Sequence, residues 1–316
     1  EGYLITPEVL PYGEYSLVEV QAPYGYALDK TPVAFSVSSE NAEKENSLTI
    51  VKVEKQNTAQ KGKISVRKTG DIFTSVTTAS SAYKNENGEM IVNPTTYTPV
   101  FADGDLSGTV FQVIAVEDIV TLDGTTRAYA GDVVSEITTD ENGYAETEPL
   151  YLGKYEVREI KAPYGYVLNN EPKDVELTYA GQEFEVRDTV NTAFENEYQS
   201  VRISLSKVME NDKLFGIYDN DYYTSVRFGL FAAEDITAAD DTVIPADGLL
   251  SEVSLDENMT AKFDVQIPFG RYYVQEIATD EHYVLSGEKY LVNFEYMGQE
   301  VTTVYIDCGQ FTNDLK

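Results

Sequence analysis

Three glutamates in this chain recur in one sequence context. Glu19, Glu159 and Glu276 each lie six residues after a glycine, and an aromatic residue stands two positions after that glycine. Each glutamate is in phase with the apolar residues of a predicted strand, where a buried carboxylate costs free energy unless it is paired. The repeat predicts an array of similar domains. Its copies are GEYSLVEVQAPYGYAL from Gly13, GKYEVREIKAPYGYVL from Gly153 and GRYYVQEIATDEHYVL from Gly270.

An asparagine and a lysine extend the repeat on either side. Asn57, Asn196 and Asn313 follow their glutamates by 38, 37 and 37 residues. Lys68 follows Asn57, and Lys207 follows Asn196, by 11 residues in each case. The segments KISVRK and RISLSK align as one strand that ends in this lysine. A complete unit is therefore a lysine strand, a variable middle, a glutamate strand and an asparagine strand.

A lysine, a glutamate and an asparagine at core positions support two interpretations. One is a salt bridge with the asparagine as a hydrogen-bonding neighbour, because a lone buried ammonium group is strongly unfavourable. The other is a covalent amide between the lysine amine and the asparagine side chain. Burial lowers a lysine pKa and favours the nucleophilic neutral amine, and it favours the protonated form of a carboxyl group. That carboxyl group could polarise the asparagine carbonyl and carry the amine proton to the leaving ammonia. The residues alone leave both interpretations open.

Alternating apolar segments separated by turn clusters predict an all-β chain of tandem β-sandwiches. We predict three units, at 1–58, 59–198 and 199–316. The first is incomplete: its Gly2-Tyr3 matches Gly143-Tyr144 in the middle of the second, so its lysine strand is missing. An insertion near 72–100 in the second unit is expected to form an exposed loop or hairpin. In the third unit ATDEHY replaces APYGY, which we take as one residue longer and expect to form a different turn.

Composition excludes several classes of function. With 23 basic and 54 acidic residues the net charge is −31, which argues against binding to nucleic acid or to anionic membranes.

Cys308 is the only cysteine, so no intrachain disulfide exists, and we expect a buried, inert thiol. His282 is the only histidine; we expect it at the surface, with no catalytic or metal-binding set around it. The run DNDYY from Asp219 lacks the glycine and distal glutamate of an EF-hand loop. We expect neither a metal nor another cofactor.

The stretch GxYxxxExxAPxGYxL resembles the "E-box" of the collagen-adhesin B-type (Cna-B) domains, which occur in Gram-positive pilins and surface adhesins. LSGTVFQVIAVED from Leu106 and SVRFGLFAAED from Ser225 resemble the strand that follows the lysine in that family. The resemblance covers essentially the whole chain. It implies tandem immunoglobulin-like or prealbumin-like β-sandwich domains in a linear array.

The resemblance also implies specific roles for the repeated residues. The implied isopeptide pairs are Lys68–Asn196 and Lys207–Asn313, assisted by Glu159 and Glu276. Glu19 and Asn57 would belong to an incomplete set in which Asn57 is an orphan acceptor. Asn57 is also the less secure acceptor, because Lys55 stands where Phe194 and Phe311 precede the other two asparagines.

Three functions follow as hypotheses. The first is a structural stalk of a cell-wall-anchored adhesin or pilin, whose partners are other domains of the same protein or pilin subunits. The second is a module that binds host or matrix molecules through a sandwich face or the 72–100 insertion. An enzyme acting on carbohydrate is the third, and it is disfavoured because one glutamate per unit does not make an asymmetric pair in one cleft. The sequence shows no secretion or sorting signal, so an extracellular location rests on the resemblance.

A side hypothesis concerns the open edge of the incomplete first unit. That edge could accept a strand from another chain, but we prefer the simpler explanation that a boundary falls within the domain.

Overall fold

The structure is a computed structural model that describes residues 2–40, 43–45, 48–84, 86–218 and 222–316. Half of the chain is β-strand and 1% is helix, which confirms the all-β prediction. A 3₁₀ turn at Tyr223–Ser225 is part of that small helical share. Within the described ranges, no helix has the length and apolar character needed to span a membrane. The first three residues of DNDYY, 219–221, lie outside the described residues.

The first unit forms paired antiparallel strands. The first two strands pair from Gly13 opposite Val37 to Leu17 opposite Val33. The strands of this unit are β1 Gly13–Leu17, β2 Val33–Val37, β3 Glu43–Glu45 and β4 Leu48–Ile50.

The strands of the second unit are β5 Lys61–Gly62, β6 Ile64–Ala79, β7 Ala82–Lys84, β8 Met90–Val92, β9 Thr96–Asp105, β10 Val110–Ala115, β11 Ile119–Val120, β12 Thr126–Ala128, β13 Val133–Thr138, β14 Tyr144–Glu146, β15 Leu150–Tyr151, β16 Gly153–Lys161, β17 Lys173–Leu177 and β18 Val190–Asn196. One sheet has the order β13-β10-β16-β17, and in the other β6 pairs with β14 and with β18. Alternate residues of both sheets point inward and form one core, which includes Ile64, Val66, Phe111, Val157 and Phe194.

The third unit repeats this arrangement with the strands β19 Ser200–Met209, β20 Arg227–Ala232, β21 Ile236–Thr237, β22 Val243–Ile244, β23 Leu249–Ser254, β24 Thr260–Phe263, β25 Gly270–Ala278, β26 Lys289–Phe294 and β27 Thr303–Asn313. One sheet has the order β24-β19-β27, and the other contains β23-β20-β25-β26. A separate core lies between them, with Ile203, Phe228, Val274, Phe294 and Phe311 among its members. In both units the first and last strands are parallel neighbours.

The insertion near 72–100 forms a hairpin, which was one of the two predicted alternatives. It is exposed only in part. β6 and β9 pair from Thr69 opposite Asp105 to Ala79 opposite Thr96. The base of this hairpin packs on the third unit, where Phe73, Val76 and Tyr97 contact its core. The sequence suggested an exposed segment because its many Ser, Thr and Asn residues gave no sign of this packing against the next unit.

One tyrosine in each repeat closes a turn next to the glutamate strand. Tyr15, Tyr155 and Tyr272 are the aromatic residues two positions after the repeated glycines. Each hydroxyl donates a hydrogen bond to the carbonyl oxygen four residues earlier, at 2.8, 2.5 and 2.6 Å respectively. In the complete units these rings are buried. The repeated aromatic position therefore anchors the start of the glutamate strand.

We predict that Tyr272→Phe destabilises the third unit by about 1–3 kcal/mol, because the buried carbonyl of Pro268 loses its donor. Urea denaturation measures the free energy of unfolding. Tyr305→Phe is the control, since Tyr305 is 72% exposed and the change there should have little effect. Equal effects of the two substitutions would contradict this role for the Tyr272 hydroxyl.

Candidate functional site

The predicted lysine and asparagine lie on the parallel first and last strands of each complete unit. In the second unit Lys68 on β6 is opposite Phe194 on β18, and Asn196 lies two residues further along the same strand face. In the third unit Lys207 is opposite Phe311, and Asn313 again lies two residues further on. Because alternate strand residues share a face, the lysine and asparagine side chains both point into the core. They are diagonal neighbours across the two paired strands.

The glutamate reaches the same point from the facing sheet. Glu159 on β16 is opposite Phe111 on β10, and Glu276 on β25 is opposite Phe228 on β20. In each unit this phenylalanine also packs against the one that precedes the asparagine by two residues, with ring centroids 4.8 and 4.9 Å apart. The ring pair forms an apolar wall beside the polar side chains. Sequence reasoning did not assign Phe111 and Phe228 to the site, although both stand at the same place in the aligned strands.

In the second unit the three polar side chains form a closed triangle. The Nζ of Lys68 donates to Oε2 of Glu159 at 2.9 Å and to Oδ1 of Asn196. The Nδ2 of Asn196 donates to Oε1 of Glu159 at 2.7 Å. The side chains of Lys68 and Glu159 have no solvent exposure. The amine, the amide and the carboxyl group are thus held in mutual contact away from water.

The third unit repeats the triangle and adds two contacts, one of which is the hydrogen bond from the Ser286 N–H to Oε2 of Glu276 at 2.8 Å. The Nζ of Lys207 lies 3.0 Å from Oε1 of Glu276 and donates to Oδ1 of Asn313. The Nδ2 of Asn313 donates to Glu276 at 3.1 Å and also to the hydroxyl of Thr279 at 2.9 Å. Sequence reasoning missed Thr279, which stands where the other two repeats have alanine.

Burial lowers the pKa of both lysines. Desolvation is the main cause for Lys68 and Lys207, and the neighbouring glutamate opposes it in each case. The Nζ of Lys68 lies 6.0 and 5.8 Å from the ring centroids of Phe111 and Phe194, so its surroundings are largely aromatic. A lowered lysine pKa favours the neutral amine, which is the nucleophilic form.

The hydrogen bonds modify one detail of the expected chemistry. We expected the carboxyl group to contact the asparagine carbonyl, but in both complete units it contacts the asparagine nitrogen. The carbonyl oxygen is already occupied by the lysine amine. Each glutamate therefore touches the lysine nitrogen and the amide nitrogen, and it is placed to move a proton between them.

The first unit holds two of the three predicted members. The Nδ2 of Asn57 donates to both carboxylate oxygens of Glu19, at 2.9 and 2.7 Å, and to the carbonyl of Ala27. Lys55 points elsewhere and forms an ion pair with Asp29 at 3.0 Å. Glu19 and Asn57 are only half-buried, whereas their counterparts in the complete units are buried.

The prediction of an extra residue in the third repeat is wrong, but the turn does differ, because Gly25 and Gly165 have positive φ angles of 84° and 95° and the corresponding His282 does not have a positive φ. Tyr283 lies seven residues after Glu276, as Tyr166 does after Glu159, so the two segments have equal lengths. In all three copies the tyrosine N–H donates to the carbonyl three residues earlier, although proline occupies that earlier position in only two of them. The pairs are Tyr26 and Pro23, Tyr166 and Pro163, and Tyr283 and Asp280.

The lone cysteine and histidine lie as the sequence suggested. Cys308 is buried and unpaired, and burial raises the pKa of its thiol to about 12, which disfavours the reactive thiolate. The side chain of His282 is 40% exposed and contacts Asp280. Among the described residues, no group of three His, Cys, Asp or Glu side chains is placed to hold a metal ion.

Comparison with known proteins identifies the fold. Residues 1–52 and 101–192 match the family described as SpaA, prealbumin-like fold domain. The resemblance inferred from the sequence is thereby confirmed, and the prealbumin-like units stand in tandem.

Two longer proteins are similar to this chain over part of their length. The trypsin-resistant surface T6 protein of Streptococcus pyogenes is 29% identical over 94 residues, which are 30% of this chain and 16% of that protein. The TIE protein of Bacillus anthracis aligns over 96% of this chain and 42% of its own, with a TM-score of 0.54 and 20% identity, which supports the fold alone. The chain spans less than half of either relative. The major pilin subunit BcpA of Bacillus cereus also aligns, at 16% identity, but its TM-score of 0.33 supports no inference.

The lowered lysine pKa predicts a pH-dependent stability in a variant that lacks the amide partner. In Asn196→Ala the folded state binds the Lys68 proton less readily than the unfolded chain, whose lysine pKa is about 10.4. Stability should therefore rise as the pH increases from the folded pKa towards that value.

The control for this prediction is the double variant Lys68→Met with Asn196→Ala, which lacks the titrating group. Urea unfolding of both proteins across a pH series isolates the contribution of Lys68. A stability difference that does not change between about pH 7 and 10 would contradict the lowered pKa.

Proposed function

We propose that this chain is part of the stalk of a cell-surface adhesin or pilin, stabilised by isopeptide bonds that its own units form. The pairs are Lys68–Asn196 and Lys207–Asn313, assisted by Glu159 and Glu276. The observation that carries the proposal is the buried triangle of amine, amide and carboxyl group, which occurs twice with the same strand geometry. A salt bridge alone needs no asparagine at the lysine amine.

The reaction in the second unit needs only the groups already in contact. The neutral amine of Lys68 attacks Cγ of Asn196, and a bond forms between Nζ and Cγ. The bond between Cγ and Nδ2 breaks, and Nδ2 leaves as ammonia. The carboxyl group of Glu159 takes a proton from Nζ and gives one to Nδ2, so it ends in its starting state. Holding the amine and amide together supplies the effective molarity that an unactivated amide requires. Each unit reacts once, so this is maturation and not turnover.

The strand arrangement explains how such bonds would serve a stalk. The lysine and asparagine lie on the first and last strands of a unit, so a pulling force would pass from one strand to the other through the amide. The intervening chain, across which the partners are 128 and 106 positions apart in sequence, would carry no load. Loop-closure reasoning for cross-links of this size gives about 4–5 kcal/mol of stabilisation each. This gain requires no cysteines, in a chain that has only Cys308.

Partners and location follow from the same proposal. The surface T6 protein is a relative over part of its length, which supports a location at the cell surface, and anchoring to the cell wall is part of our proposal. The partners would be other domains of the same surface protein or pilin subunits. The strongly acidic composition disfavours nucleic acid and anionic membranes as partners.

A second candidate function is binding of host or matrix molecules through the hairpin. Its outer part carries the exposed apolar residues Met90 and Val92, at 59% and 69% exposure. The base of the same hairpin packs on the third unit, and this contact favours the structural role. A solid-phase binding screen with and without residues 80–95 tests the alternative.

We predict that the intact mass falls short of the sequence mass by two ammonia molecules. The first unit should contribute none, since the chain provides no lysine strand for Asn57. Branched tryptic peptides should join Lys68 to Asn196 and Lys207 to Asn313. A full sequence mass would exclude the cross-links and leave a buried salt bridge.

We also predict that Glu159→Ala prevents the bond in the second unit and leaves that in the third. The variant should therefore lack one ammonia instead of two, because Lys68 loses its proton acceptor. Glu156→Ala is the matched control, since Glu156 lies on the same strand with its side chain bonded to Arg158 and away from the core. Normal cross-linking of Glu159→Ala would remove the glutamate from the mechanism.

A further inference from the structure

The units meet at two junctions with the same set of contacts. In each junction a turn of the following unit contacts the preceding one; we call residues 179–184 and 296–301 the docking turns. Each docking turn contains a Gly-Gln pair, Gly181-Gln182 or Gly298-Gln299. Each holds a loop of the preceding unit and the glutamine that starts its own unit, and both points lie three residues after a member of the candidate site.

The first point is a buried glutamine that follows the asparagine strand. Gln199 lies three residues after Asn196 and has 0% exposure. Its Nε2 donates to the carbonyl oxygens of Gly298 and Val301 at 3.1 and 2.6 Å. Its Oε1 accepts the N–H of Met297 at 2.8 Å. All these partners belong to the docking turn of the third unit, the unit that Gln199 itself begins, so the residue that follows Asn196 by three positions is anchored in that unit.

The second point is the loop that follows the glutamate strand. Ala162 lies three residues after Glu159, and its N–H donates to Oε1 of Gln299 at 2.9 Å. The N–H of Leu168, further along this loop, donates to the backbone carbonyl of Gln299, also at 2.9 Å. The docking turn of the third unit therefore holds the continuations of both the Glu159 strand and the Asn196 strand.

The first junction repeats both contacts. Gln60, three residues after Asn57 and 1% exposed, donates to the carbonyl oxygens of Gly181 and Phe184 and accepts the N–H of Ala180. Relative to the glutamine of each docking turn, these partners occupy the same positions as in the second junction. Ala22, three residues after Glu19, donates to Oε1 of Gln182 at 2.8 Å. Two junctions with the same contacts show that the geometry is a property of the repeat.

We propose that the docking turn of the third unit positions Glu159 and Asn196 for cross-linking, which makes Gln299 and Gln199 positioning residues for the second site. This inference rests on the proposed function. An amine and an unactivated amide react only when they are held in contact, and small displacements slow such reactions strongly. The bond in the second unit would therefore form efficiently only after the third unit has folded and docked.

The site of the third unit has an internal contact at the position where the second unit contacts a docking turn. Thr279 lies three residues after Glu276, where the other repeats have the alanine that contacts a docking turn. Its hydroxyl accepts the Nδ2 of Asn313 at 2.9 Å. The third unit thus positions its own asparagine from this place, whereas the second unit relies on its neighbour.

The test measures how fast each bond forms after the protein is made by cell-free synthesis. Samples are quenched with acid at successive times. Intact mass counts the bonds, and branched tryptic peptides show which of the two has formed. In Gln299→Ala the second bond should form about tenfold more slowly, because the N–H of Ala162 loses its half-buried acceptor, while the third bond forms at the normal rate. Normal formation of the third bond shows in the same molecule that the third unit has folded. Gln299→Glu keeps an acceptor oxygen for Ala162 and should restore the second bond.

Two matched variants complete the experiment. Gln182→Ala removes the same contact from the first junction and should leave the second bond unchanged. Thr279→Ala should slow the third bond and leave the second unchanged. A second bond that forms at the wild-type rate in Gln299→Ala, or equally slowly in Gln299→Ala and Gln299→Glu, overturns the positioning role. A wild-type chain with no loss of ammonia overturns the proposed function itself.

Discussion

Each complete unit depends on burying one lysine in the middle of a β-sandwich. An unpaired ammonium group in that place would cost more free energy than the surrounding apolar contacts could offset. Lys68 and Lys207 therefore require a carboxyl group from the facing sheet, and each also contacts the asparagine amide of the neighbouring strand. The requirement for a counter-charge accounts for the glutamate, and the proposed bond accounts for the asparagine at constant spacing.

The parallel pairing of first and last strands would give the proposed cross-links a mechanical role. Neighbours in a sheet are about 4.8 Å apart, so side chains two positions out of register can meet on one face. The two strands that meet here are those through which a pulled unit would be loaded. The aromatic pairs Phe111–Phe194 and Phe228–Phe311 close the cluster from the apolar side and keep the lysine amines from water.

In the two complete units, the strand that contains the glutamate places its side chain in the core. In the first two repeats, the loop that follows the glutamate is a contact surface for the next unit. The buried Gln60 and Gln199 start the following units, and their hydrogen bonds to the docking turns anchor the chain just after each junction. The hairpin formed by β6 and β9 adds a second contact between the second and third units. Successive units are therefore joined by specific polar and aromatic contacts as well as by the chain.

The sequence by itself determined the all-β class, the repeat and the identity of the Lys, Glu and Asn positions, because strand alternation and constant spacing are local properties of the chain. It gave no sign of the partners of Gln60 and Gln199 or of the packing of Phe73 on the next unit, since those contacts join residues far apart in sequence. The segment from Glu276 to Tyr283 has the same length as its counterparts in the other two repeats, and the structure shows that only the backbone conformation of its turn differs. Only the tertiary structure decided which atoms meet: the glutamate faces the amide nitrogen and not its oxygen, because the lysine amine from the adjacent strand already occupies the oxygen.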